Sequence, residues 1–166
     1  MKSRIVWWIL TVLCALMILG LSSQSALQSS GLSSSLTQTV LEKVPAYQDL
    51  SPEEQEVVFA QVHKLLREIA HVVTFALLGF CASMLARSYA LKCWVQSVFP
   101  SCALFAVLDE SLQHVLGAGR TFQFIDLLKD WAGSLLGIAV VFLMAWVTHR
   151  RTVGGGNNGV SGSGAG

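Results

Sequence analysis

An all-α integral membrane bundle of four transmembrane helices is the fold class predicted by three observations. The 166 residues are 53% hydrophobic and only 13% charged, with a mean hydropathy of +0.58. Four apolar runs of 16 to 18 residues recur along the chain without period-2 alternation, and a bilayer admits only helices or closed barrels. The few charges also segregate by position. A length near 150 fits one domain, and such low charge excludes intrinsic disorder. Net charge is +1 and no zinc-finger, RNP or recognition-helix pattern is present, so nucleic acid is excluded as a partner.

Taken in order, the first run follows Lys2 and Arg4 and extends over residues 5–21. It exceeds the h-region of a signal peptide and lacks a small-x-small site, so it reads as an uncleaved anchor. An outer loop, 22–64, begins rich in Ser and Gln. Within it Leu32, Leu36 and Val40 recur every fourth residue, predicting a short amphipathic helix on the outer face. Ser51-Pro52-Glu53-Glu54 is a helix start, with Ser at the N-cap, Pro at the first position and Glu at the third. Val58, Val62, Leu65 and Ile69 carry a helical stripe from there into the second span, 67–86. The third span is placed at 93–115 and the fourth at 127–148, each close to the roughly 20 residues a bilayer requires. The transmembrane domain thus occupies residues 1–151, and the Gly- and Ser-rich segment 152–166 reads as a disordered tail.

Charge sets the orientation. Lys2, Arg4, Arg87, Lys92, Arg150 and Arg151 flank the spans on one side without an acid among them, while all ten acids, Glu42 through Asp130, fall toward the other. The positive-inside rule then places both termini in the cytoplasm. Trp7, Trp8, Trp94 and Trp146 fall at the cytoplasmic ends of their helices and Trp131 at the outer end, as interfacial anchors.

Ionisable residues near bilayer depth are costly, and here they converge on one level. His63, Arg67 and His71 share a face entering the second span. Asp109, Glu110, Gln113 and His114 end the third. Asp126 and Asp130 share a face of the fourth with Gly133 and Gly137, a GxxxG contact between helices. Gly117-Ala118-Gly119-Arg120 is a tight turn that sets Arg120 beside the carboxylates. The ligand-binding candidates are therefore Arg67, His71, Asp109, Glu110, Gln113, Arg120, Asp126 and Asp130, lining an outward polar pocket. Their structural alternative is ion pairing that cements the bundle.

Named chemistries find no motif. HExxH, GxSxG, a P-loop and a glycine-rich dinucleotide loop are all absent. Residue types suffice for transfer or hydrolysis at an anionic lipid head group, with arginines on phosphate and His71, Asp109 or Glu110 as acid, base or nucleophile. Spacing does not choose between turnover and binding. Four carboxylates could hold a divalent cation, but no ligand spacing separates that from salt bridges, so no metal and no cofactor is assigned. Cys14, Cys81, Cys93 and Cys102 lie in or beside apolar runs without a CxxC pair and read as buried small hydrophobes.

Ser22-Ser23-Gln24 after the first span, Arg67-x-x-Ala70-His71 entering the second, Asp109-Glu110-x-x-Gln113 ending the third, and Gly119-Arg120 followed by Asp126-x-x-x-Asp130-x-x-Gly133 resemble the VanZ-like family over about residues 5–148. The resemblance implies a small multi-pass protein of the bacterial cell membrane, in a family named for a member giving low-level resistance to teicoplanin, a glycopeptide that binds cell-wall precursors. It carries over Arg67, His71, Asp109, Glu110, Gln113, Arg120, Asp126 and Asp130, but no role for His114. Glu68, Thr74-Phe75 and Leu112 stand where the family usually has Lys, Glu-Tyr and His.

Three functions follow as expectations. The first is an envelope protein whose outward pocket takes a lipid head group or lipid-linked wall precursor. The second is an outer-leaflet lipid phosphatase or transferase using His71 and the carboxylates. The third is a structural or partner-binding membrane subunit.

Overall fold

The computed structural model describes residues 2–22, 26–116 and 124–154, and among them there is no strand. Six helices follow one another: α1 (Lys2–Ser22), α2 (Ala26–Leu41), α3 (Pro45–Gln48), α4 (Pro52–Ser88), α5 (Trp94–Leu116) and α6 (Phe124–Gly154). The expected spans at 5–21, 67–86, 93–115 and 127–148 fall within or nearly within α1, α4, α5 and α6. Helix α6 passes position 152, where the tail was expected to begin, and 155–166 lie outside the described residues.

Among the described residues, three helices are long and apolar enough to cross a membrane: α1, α4 and the Phe124–Arg150 part of α6. This is the multi-pass pattern, with one fewer qualifying helix than the sequence predicts. The helix that falls short is α5. It has 23 residues, but Gln96, Ser97, Ser101, Asp109, Glu110 and Gln113 dilute its apolar content, and Pro100 within it removes one backbone donor.

Helix α4 begins where Ser51-Pro52-Glu53-Glu54 predicts. Ser51 Oγ accepts from the Glu54 backbone N–H at 3.4 Å, and the Glu54 carboxylate accepts from the Ser51 backbone N–H at 3.0 Å. This reciprocal box satisfies two donors that the first helical turn leaves open. Tyr47 and Gln55 fasten the short α3 to this start, Gln55 Nε2 donating to Tyr47 O and to Leu50 O, both at 3.2 Å. The helix then runs unbroken for 37 residues. It ends at a turn where Ala90 adopts a φ of 54°, a left-handed conformation that an L residue with a Cβ enters only at some cost.

Helix α4 is the centre of the bundle, packing against α1, α2, α5 and α6. Its Phe75, Leu78 and Ala86 meet Ile18, Val98, Cys102, Ala106, Leu127 and Ile138 in one buried cluster. The tightest seam is with α6, where three glycines let backbones touch. A Cβ on Gly79 would stand 2.5 Å from the Ser134 carbonyl oxygen, one on Gly133 would strike Val72 O, and one on Gly137 would strike Ala76 O and Phe80 N. The GxxxG expectation thus holds, and it sets the separation of α4 from α6 on which the site depends. Outward faces such as Ile5, Ile9, Leu13, Phe142 and Leu143 are exposed, as lipid-facing residues are.

Helix α2 presents its stripe differently from what a soluble protein would show. Thr37 and Leu41 are buried, whereas Leu36 is 64% exposed and Val40 is exposed with it; the side chain of Leu32 lies outside the described residues. Trp131 is not a simple surface anchor either, since it packs on the core and donates from Nε1 to Ala103 O at 3.4 Å. Cys81 and Cys102 are buried and Cys14 partly so, but Cys93 is exposed at the α4–α5 turn, which corrects the expectation that all four are core residues.

Candidate functional site

Four helices bring polar side chains to one region. Helix α4 presents His71 one turn before core residue Phe75, and α6 presents Asp130 one turn before Ser134. Because the glycine seam draws α4 and α6 together, His71 Nδ1 and Asp130 Oδ1 meet at 3.0 Å. Asp130 is fully buried and the His71 side chain is 19% exposed. The second carboxylate oxygen of Asp130 is buried and takes no hydrogen bond from the described residues.

From α5, Asp109, Glu110 and Gln113 are all buried, and the charges of Asp109 and Glu110 act on Asp130 from close by. Gln113 Nε2 donates to Asp109 Oδ2 at 2.9 Å and to Ser22 Oγ of α1 at 3.1 Å. Its amide nitrogen is thereby committed to holding Asp109, so Gln113 serves as a positioning group. Ser22 enters the site through this bond.

The sequence grouping of arginines with carboxylates resolves differently. Asp126 is held by Lys129 Nζ at 2.9 Å, and the same ammonium reaches Glu68 on α4 at 3.3 Å. A lysine absent from the candidate set thus ties α4 to α6. Among the described residues Arg67 forms no ion pair with a carboxylate, although its charge acts on His71. Arg120 and the Gly117–Gly119 turn lie outside the described residues. His63 stacks on Phe59, ring centroids 6.1 Å apart, and His114 is exposed. Among the described residues no group of three or more His, Cys, Asp or Glu side chains is arranged to hold a metal.

Two signals were available for the missed residues. Lys129 lies three residues from Asp126, the spacing at which helical side chains face one another. Ser22 opens the Ser-Ser-Gln motif at the C-terminal end of α1.

The chemistry open to this arrangement centres on the imidazole. A buried carboxylate that accepts from Nδ1–H fixes the tautomer and leaves the Nε2 lone pair free to take a proton or attack an electrophile. Flanking carboxylates supply further acid or base groups.

The sequence profile of the VanZ/LLP1 family matches residues 7–145. The chain belongs to the VanZ/LLP1 family. Membership of the VanZ/LLP1 family links it to glycopeptide resistance in general, and the match takes in α1 through most of α6, including every described residue of the polar cluster. No curated protein and no solved structure matches the chain.

Proposed function

We propose that this VanZ/LLP1 family member is a bacterial inner-membrane protein whose polar cluster engages the head group of a membrane lipid or lipid-linked wall precursor. The observation that carries this reading is the His71–Asp130 hydrogen bond, set among the buried carboxylates of Asp109 and Glu110. Packing alone is poorly served by that set, since buried ionic groups gain little stability over apolar ones of similar volume. The cluster lies at the end of the bundle that carries α2, α3 and the acids from Glu42 to Glu56, so a ligand would enter from the outer leaflet. Packing of α5 against α1, α4 and α6 supports a fourth span and hence both termini in the cytoplasm. Resistance to teicoplanin would follow from contact with the wall precursor itself.

The same hydrogen bond favours a second reading, turnover. With Nδ1 held by Asp130, His71 Nε2 is poised as base or nucleophile toward a lipid phosphate in an outer-leaflet phosphatase or transferase.

The test uses the purified chain in lipid nanodiscs with polyprenyl phosphate or polyprenyl pyrophosphate added. Retention of the probe by wild type, and its loss in folded His71→Ala and Asp109→Asn, supports the binding reading. Release of inorganic phosphate by wild type and not by His71→Ala supports turnover. If neither probe is retained nor hydrolysed, or if both variants merely unfold, the cluster is bundle cement and the protein a structural or partner-binding subunit.

A further inference from the structure

About 25 Å along α4 from His71, at 1.5 Å per residue, the helix end carries a second set of charges. Arg4 Nε donates to Ser88 O at 3.0 Å, and the Arg4 guanidinium lies 4.9 Å from the centroid of the Tyr89 ring. Trp8 Nε1 donates to the hydroxyl of Tyr89 at 3.1 Å, which fixes that ring beneath the arginine. One residue before Ser88, Arg87 stands 6.0 Å over Trp94. At the same end of α6, Arg150 stands 3.9 Å over Trp146.

Three features together specify a ligand. No acid occurs in residues 1–41, 69–108 or 131–166, so this end has no carboxylate to neutralise its cations, and among the described residues Arg4, Arg87 and Arg150 form no ion pair. Each guanidinium lies by an aromatic face, the placement of an interfacial cation, and among the described residues only Arg4 Nε, of the three, is committed to a protein acceptor. A guanidinium fork matches a phosphate diester oxygen pair. Ile5, Val6 and Leu91, close by in the chain, are also exposed. A ligand that satisfies both must join an anionic phosphate to acyl chains.

We propose that the α4–α5 turn, with Arg4 and Arg87 as phosphate contacts and Arg150 as an adjoining one, is a binding site for anionic phospholipid in the leaflet at that end. This site is separate from the His71 cluster and does not depend on what that cluster binds.

The experiment places the purified full chain in nanodiscs of phosphatidylcholine with and without phosphatidylglycerol and counts retained lipid by native mass spectrometry, with thermal unfolding in parallel. Wild type is expected to retain phosphatidylglycerol preferentially and to unfold at higher temperature when it is present, the gain shrinking with added salt. Arg87→Gln should weaken retention about fivefold, the equivalent of ~1 kcal/mol for one basic residue near the surface, and Arg4→Gln similarly. Lys43→Gln, an exposed cation in the outer segment, should leave it unchanged. Should Arg4→Gln fail to fold for want of its bond to Ser88 O, Arg87→Gln, whose described contact is with the Trp94 ring alone, decides the matter. Equal retention of both lipids by wild type, unchanged preference in folded Arg87→Gln, or equal loss in Lys43→Gln overturns the proposal.

Discussion

His71 Nδ1 and Asp130 Oδ1 stand 3.0 Å apart, joining α4 to α6 across 59 residues of chain. Asp130 has no exposure to solvent or lipid, so its carboxylate depends on this partner for one of its two oxygens. The pair and the glycine seam beneath it are therefore mutually dependent: backbone contact brings the groups within reach, and the bond fixes which faces meet.

A double-mutant cycle on His71→Ala and Asp130→Asn is expected to show a coupling of about 0.5–3 kcal/mol, as residues in direct contact do. Denaturant unfolding in detergent measures it. Additive losses would mean that the two side chains act independently.

Gly137→Ala should destabilise the bundle by about 1–3 kcal/mol, the range for overpacking, because the new methyl meets backbone of Ala76 and Phe80 that has no freedom to turn aside. Gly31→Ala on α2 meets nothing within 4 Å and should instead gain about 0.5–1 kcal/mol of helix stability. Melting temperatures of the two variants should move in opposite directions.

Lys129→Met is expected to lower stability by no more than about 1 kcal/mol, because the Glu68 side chain is 36% exposed and that of Lys129 22%, and partly solvated pairs are screened. The loss should diminish in high salt. A much larger, salt-independent loss would place Lys129 in a drier environment than its exposure indicates.

The capping box should be sensitive to acid. The Glu54 carboxyl is held below its ordinary range, first by the hydroxyl of Ser51 and then by the Ser51 backbone N–H. A lowered folded pKa means that its stabilisation is complete above the unfolded value and is lost as pH falls through the folded one. Amide protection in the first turn of α4, taken relative to the intrinsic exchange rate at each pH, should therefore fall below about pH 4, and Glu54→Gln should flatten that dependence. Equal acid response in both proteins would remove Glu54 as the cause.

Orientation can be read with one substitution and one native residue. Gln48→Cys in α3 and the exposed Cys93 should react with a membrane-impermeant thiol reagent from opposite sides, Gln48→Cys from outside. Labelling of both from the same side would overturn the proposed topology.

Much of this fold is legible in the sequence because its signals are local. Ser51-Pro52-Glu53-Glu54 specifies its own hydrogen bonds, and long apolar runs specify helices. Gly133 and Gly137 advertise close packing at a spacing of one turn. Facing and pairing are less legible. His71 had four carboxylates to choose from, and only the tertiary crossing of α4 with α6 selects Asp130. The Leu36 and Val40 stripe announces an amphipathic helix, but core and lipid are equally apolar, so periodicity could not tell that Thr37 and Leu41 turn inward. Arg67 is the conspicuous cation of the second span, yet Lys129, between Asp126 and Asp130 on α6, takes the ion pairs with Asp126 and Glu68.

The length of α4 has a mechanical consequence. At 1.5 Å per residue its 37 residues make a rod of about 55 Å, nearly twice the roughly 30 Å of hydrocarbon it would cross. After Pro52 in its first turn, no glycine or proline interrupts it before His71. A tilt or rotation imposed on its capped end, which α3 grips through Tyr47 and Gln55, would be carried as by a lever to the imidazole twenty residues away, so a load on the segment before Pro52 would bear on the bond between His71 and Asp130.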